Sequence, residues 1–148
     1  MTMNSTERMT GEAVVREMSR AECLEALRSQ RLGRIAISQN ALPSILPVNY
    51  AMDVANIVFR TSAGSALARA CNKTIVAFEI DRYEPATGTG WSVVVVGAAD
   101  ALSGGDWLRA VELGLPSAAA ADGEVFIRIT PGMITGRVVG SMPVVYEI

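Results

Sequence analysis

Histidine is absent from the 148 residues, and lysine occurs once, at Lys73. The first absence excludes Ser-His-Asp and Cys-His nucleophilic triads, helical two-histidine zinc motifs and histidine-ligated haem from this chain. Basic residues number 13 against 15 acidic ones, a net charge of 13 − 15 = −2 with a pI near 5.2, so no broad cationic footprint for nucleic acid is present. A local anion site needs only one or two arginines and stays open. Cysteine is sparse: Cys23 and Cys71 stand far apart, without metal-type spacing, and no metal site is expected. A domain of this length buries roughly 70% of its unfolded surface and needs no disulfide. The longest apolar run, residues 93–99, is far short of the roughly 18 residues of a membrane span, and Pro116 interrupts the Ala-rich segment after Leu113. Residues 1–11 are polar and lack the apolar core of a secretory signal. The expected setting is a reducing cytoplasm, with neither membrane nor nucleic acid as partner.

Charge is scarce too, at 19% of residues against a usual share of about 25%, while 50% are hydrophobic. An ordinary monomer surface does not absorb that much apolar area, so a subunit interface is expected. Residues 1–17 are read as a flexible leader and 18–148 as one domain. Ser19 stands three residues before Glu22, a capping-box spacing, and Leu24 and Leu27 recur at helical spacing with Cys23 beside them, which predicts a helix from Arg20 to about Ser29. From Leu32 the period becomes that of strands. Arg34-Ile35-Ala36-Ile37, a break at Gln39-Asn40, Ile45 to Tyr50, a turn at Asp53 to Asn56, and Ile57 to Thr61 predict three antiparallel strands in succession. Pro47 has no amide donor and belongs at an edge or bulge, where a ligand reaches free backbone groups. A short helix is predicted from Ala66 to Cys71, a strand from Thr74 to Ile80, and a second helix from Asp106 to Leu113. Pro116 to Gly123 reads as a mobile loop, and two last strands, Val125 to Thr130 and Ile134 to Val139, are split by a Pro131-Gly132 turn. Trp91 to Gly97 is apolar without alternation, which implies that both faces of this strand are covered, one by the core and one by a second subunit. Hairpins outnumber crossovers. The expected fold is a mainly antiparallel, Greek-key-like β-barrel with two or three short peripheral helices.

Gly88-Thr89-Gly90-Trp91-Ser92-Val93 begins like a dinucleotide fingerprint, but the sixth position is valine and a strand follows, so that reading fails. Glu79 and Asp81 share a strand face and read as a solvated strand end. Arg60, Thr61, Ser65 and Arg69 gather two guanidinium groups and two hydroxyls around a strand, a turn and a helix start. Two readings remain open there: a phosphate cradle, or helix capping with surface solvation. Tyr50 and Trp91 are candidates to stack on a planar ligand or to pack in the core or an interface.

The runs Leu32-Gly33-Arg34-Ile35-Ala36, Leu46-Pro47-Val48-Asn49-Tyr50, Val58-Phe59-Arg60-Thr61-Ser62-Ala63-Gly64-Ser65, Phe78-Glu79-Ile80-Asp81 and Gly90-Trp91-Ser92-Val93 occur in this order. Together they resemble the pyridoxamine 5′-phosphate oxidase-like flavin-binding family over Met18 to Arg137. The resemblance implies a split-barrel homodimer holding FMN, or in some branches a deazaflavin, in two symmetric clefts between subunits, with a small-molecule redox substrate. By similarity, Pro47, Val48, Asn49 and Tyr50 would lie along the isoalloxazine. Arg60, Thr61, Ser65, Ala66 and Arg69 would surround the phosphate, and Trp91 and Ser92 would come from the facing subunit. Relatives commonly carry lysine where this chain has Ala66. That departure implies weaker phosphate capture, a substitute cation such as Arg69, or a different ligand; the readings beside a flavin- or deazaflavin-dependent oxidoreductase are a non-catalytic flavin carrier or sensor, and a degenerate member with an empty cleft. No catalytic residue is assigned by either route.

Overall fold

The computed structural model describes residues 13–117 and 123–141. Within them the chain runs β1 (Ala13–Glu17), α1 (Arg20–Ser29), β2 (Leu32–Gln39), β3 (Leu42–Asp53), β4 (Asn56–Ser62), α2 (Ala66–Ala70), β5 (Thr74–Glu84), β6 (Thr89–Ala101), α3 (Gly104–Val111) and β7 (Glu124–Ser141). All pairings are antiparallel, in the order β1-β7-β4-β3-β2-β5-β6, and an additional β7–β6 pairing closes the last strands on one another. The result is a barrel-like ring of strands with three short helices outside it.

Helix α1 begins where its capping box predicts. The Ser19 amide donates to Glu22 Oε1 at 3.0 Å, and the Glu22 amide donates to Ser19 Oγ at 3.2 Å. Arg16 of β1 also pairs with Glu22 at 3.0 Å, and its guanidinium, with the Ser19 amide, holds the Glu22 carboxyl down at about 2. β1 itself departs from the sequence reading. Ala13–Glu17 were assigned to the flexible leader but pair with residues 137–141 of β7; residues 1–12 lie outside the described part.

The turns place the strands economically. Asn40 and Ala41, at φ 50° and 63°, form the two-residue link between β2 and β3, the left-handed pair that a tight hairpin requires. Side chains of β2, β5 and β6 alternate, and the inward set includes the fully buried Ile35, Phe78, Ile80, Val93 and Val95. Gly33 is needed beside them: a Cβ there would run into the Phe78 ring. A smaller cluster, with Val58, Ala110, Leu115 and Phe126, seats α3 against the outside of β4 and β7.

One strand expectation is corrected. Pro131-Gly132 does not divide the C-terminal segment; β7 runs unbroken from Glu124 to Ser141. Its register against β6 slips between Val96 and Gly97, and this bulge accommodates the proline. The β6 run is inward-buried at Val93 and Val95, whereas Val94 and Val96 remain partly exposed on the outer face of the single chain. No helix among the described residues is long and apolar enough to cross a membrane.

Candidate functional site

β3 and β4 separate after four residues. Their pairing covers Tyr50↔Phe59 to Asp53↔Asn56, and beyond Tyr50 the two strands diverge. Residues 42–49 of β3 stay paired to β2 on one side and have no strand partner on the other among the described residues. The Tyr50 amide donates to the Arg31 carbonyl at 2.9 Å, on the β2 side. Strand alternation therefore aims the backbone groups of Pro47 and Asn49 the opposite way, into the split. Pro47 fits such a position because the amide it lacks would have had no partner there.

In this split lies a hollow of about 260 Å³ lined by Pro47, Val48 and Asn49 from β3, Arg60 and Thr61 from β4, Leu67 from α2, and Pro116 and Ser117 from the connection after α3. Five of the residues singled out from the sequence thus share one wall system. The others do not line it. Tyr50 points into the core: its hydroxyl donates to the Leu27 carbonyl at 2.6 Å and its ring meets Phe78 edge-on at 4.9 Å, with burial raising its pKa. Ser65 serves as the cap of α2, accepting from the Ala68 amide at 3.0 Å, and its hydroxyl lies 3.0 Å from that of Thr61. Ala66 is exposed at the start of that helix, and its carbonyl accepts from Gln39 Nε2 at 3.0 Å. Arg69 folds back onto the Gly64 carbonyl at 2.7 Å. Trp91 lines a different hollow, with Met18, Glu22 and Ala26, and Ser92 lies next to it on β6.

The electrostatics of the cleft centre on Arg60. Its guanidinium pairs with Glu124, donates to the Leu115 carbonyl at 3.2 Å and lies 4.8 Å over the Phe126 ring. Ser117 donates to the other oxygen of Glu124 at 2.6 Å. This network ties the segment after α3 to Arg60 at the cleft and sets a carboxylate against the guanidinium. Sequence reading missed Glu124, Leu115, Pro116 and Ser117, since each comes from a segment with no motif of its own. Both thiols are buried, which raises Cys23 and pushes Cys71 up to about 11, so neither is a ready nucleophile. Among the described residues no three His, Cys, Asp or Glu side chains gather as a metal site.

A second charged group sits on the outside of the barrel. Arg34 reaches Glu79 at 3.3 Å and Asp81 at 3.5 Å. Burial and the neighbouring Asp81 push Glu79 up to about 7, against the opposing pull of Arg34. The same face carries Ala36, Ile45 and Ala77 around a shallow apolar hollow. Ile45, at 70% exposed, and Met133, at 59%, are open to solvent in the single chain.

A barrel ring split along one seam, with backbone, a guanidinium and a hydroxyl facing into the split, matches a known architecture. The family profile described as pyridoxamine 5′-phosphate oxidase matches residues 19–138, and the chain belongs to that family. The uncharacterised protein Rv0080 of Mycobacterium tuberculosis is 30% identical over 125 residues, spanning 81% of this chain and 82% of its own. Among solved structures, an FAD-binding protein from Mycobacterium smegmatis is 31% identical with a TM-score of 0.77, covering 84% of this chain and 98% of that one. An FAD-binding protein from Mesorhizobium loti is 25% identical with a TM-score of 0.71 over 84% and 98% of the two chains.

Proposed function

We propose that this chain is a flavin-binding redox protein that works as a homodimer, with the flavin held in the split between β3 and β4. The observation that carries this reading is the convergence of Pro47, Val48, Asn49, Arg60 and Thr61 on one hollow. Two separate runs of the sequence meet there, and free backbone groups of β3 face the space. When bound, the flavin supplies hydride or electron transfer, chemistry that needs no histidine from the chain. The protein's part is to hold and orient. The free edge at Pro47 and Asn49 offers a carbonyl and an amide to the polar rim of a planar heterocycle. Thr61 offers a hydroxyl, and Arg60 a guanidinium shared with Glu124, to an anionic tail. FMN is the cofactor expected from the sequence, whereas FAD is the ligand named for the two solved relatives.

The dimer reading rests on the outer face of the sheet. Ile45 pairs with Ala36, Ala36 with Ala77, Ala77 with Val96, and Val96 with Met133, so one apolar row crosses five neighbouring strands. An uncovered row of that length marks an association surface. By the family resemblance, Trp91 and Ser92 of a second copy would reach the cleft, where one chain alone does not bring them.

Ala66 and the engagement of Arg60 by Glu124 favour a second reading, a family member whose cleft stays empty or takes a deazaflavin. The absorbance spectrum of the purified protein separates these. A flavin spectrum, retained or acquired on adding FMN or FAD, is the expected result, with turnover of a nicotinamide and an electron acceptor marking an enzyme rather than a carrier. A deazaflavin spectrum supports the alternative cofactor. Colourless protein that takes up none of the three overturns flavin binding.

A further inference from the structure

Arg34 of β2 and Glu79 and Asp81 of β5 stand on the outer face of the barrel, beside the apolar row that runs from Ile45 to Met133. Strand register puts them there. Ala77, Glu79 and Asp81 alternate onto one side of β5, and the pairs Ala36↔Ala77 and Arg34↔Glu79 set the β2 side chains on that same side. With Ile45, these five residues wall a hollow of about 290 Å³, so charge and apolar surface share one patch. The charges on it are uneven: one guanidinium faces two carboxylates. Among the described residues no neighbouring strand corrects this. β3 brings Pro47 opposite Arg34, β6 brings Val94 opposite Glu79 and Ser92 opposite Asp81, and the next cation, Arg137 of β7, stands beyond Ser92, two strands from Asp81. Water balances the excess in the single chain, where 32% of the Glu79 side chain and 46% of the Asp81 side chain stay exposed. Partial burial and the adjacent Asp81 already push Glu79 up to about 7 there. A two-fold contact through the apolar row would remove the remaining water from two such patches at once, two guanidiniums against four carboxylates. A surplus carboxylate deprived of water takes up a proton rather than stay charged.

We propose that the homodimer is proton-linked: Glu79 enters the interface protonated, donating a hydrogen bond to Asp81, and its ionisation releases the subunits. The inference rests on the outer-face dimer proposed above and supplies its regulation. The sign follows from linkage. The dimer binds the Glu79 proton more tightly than the single chain does, so association is favoured at low pH and weakens as pH rises through about 7. One proton is taken up at each of the two symmetric patches, and the dissociation constant should therefore rise at least about tenfold between about pH 6 and about pH 8.

The test is sedimentation velocity of the full-length protein with fluorescence detection, from micromolar to nanomolar concentration, across this pH range at constant ionic strength. Glu79→Gln, uncharged throughout, should dimerise at the alkaline end as tightly as the unsubstituted protein does at the acid end. Glu25→Gln, an exposed carboxylate of α1 away from this face, should keep the full pH slope. A dissociation constant that is flat or falls with pH, a dimer intact at every pH down to nanomolar concentration, a slope that survives Glu79→Gln, or a folded Glu79→Gln variant that fails to dimerise overturns the switch and leaves the dimer reading standing. Monomers at every pH and concentration overturn the dimer reading with it, while flavin uptake is read independently from the absorbance spectrum. The pH series on the unsubstituted protein needs no variant, so the outcome does not depend on a substitution's effect on folding.

Discussion

β6 and β7 stay zipped from Gly90 to Ala101, whereas β3 and β4 part after Tyr50. The two seams belong to one sheet and differ in what lines them. Along the closed seam, inward valines meet a continuous core and the single irregularity is absorbed by one extra residue of β7, Gly132, next to the pair Gly97 and Pro131; any Cβ at Gly97 would collide with the Thr130 backbone. Along the open seam two prolines, Pro43 and Pro47, withhold amides on the side facing away from β2, and no ladder can form there. Stability is thus concentrated on one side of the barrel and a binding opening on the other.

The sharpest test of this contrast is Phe78→Ala. Phe78 is fully buried against Gly33 and Tyr50, and truncation should cost about 3–5 kcal/mol in urea denaturation. Asn49→Ala, on the exposed lip of the split, should cost under about 0.5 kcal/mol yet weaken flavin binding. Comparable losses for the two would erase the distinction between the sides. Next in size is Val94→Asp, which places a charge in the outer face of β6. It should leave the monomer folded by circular dichroism and abolish the dimer in sedimentation, whereas an intact dimer would locate the interface elsewhere. Glu124→Gln then probes the opening directly, since it keeps a partner for Ser117 while releasing the Arg60 charge. Flavin phosphate affinity should rise several-fold at a stability loss of about 1–3 kcal/mol, and an unchanged dissociation constant would remove Arg60 from the phosphate site.

Two smaller effects refine the picture. Folding raises Glu79 from 4.5 to about 7, so its proton is held more tightly in the folded state. Its contribution therefore favours the fold below about pH 4.5 and is lost as pH climbs to about 7; partial exposure keeps it under about 1 kcal/mol. Glu79→Gln should flatten that slope in melts taken between pH 5 and 8. Ala41→Gly relieves a left-handed alanine and should stabilise by about 0.5 kcal/mol, the steric gain outweighing the added chain entropy. A lower melting temperature would show that entropy dominates at this turn.

Much of this was legible in the sequence because it rests on local chemistry. The capping box at Ser19 and Glu22 set α1 to the residue, and the β-branched runs marked β2 to β5. The family runs named Pro47, Val48, Asn49, Arg60 and Thr61. What local patterns did not carry was decided by distant partners. Pro131-Gly132 has turn chemistry, but pairing with β6 on both sides carries β7 through it, with Gly132 left over as a bulge. Ala13–Glu17 have little pattern of their own and become a strand because β7 extends far enough to pair with them. Ser65 and Arg69 have the composition of an anion site, yet their groups are spent on the cap of α2 and the Gly64 carbonyl. Leu115 to Ser117 and Glu124 lie far from Arg60 in sequence and meet it only in three dimensions.

β7 pairs with β1, β4 and β6, and follows all three along the chain. During synthesis the earlier strands must therefore wait with bare edges until this last one emerges from the ribosome, and ring closure becomes a late, all-at-once event. A nascent chain stalled before Glu124 would be an open, adhesive sheet in need of chaperone cover, and the same delay leaves Arg60 without its Glu124 partner until β7 is made.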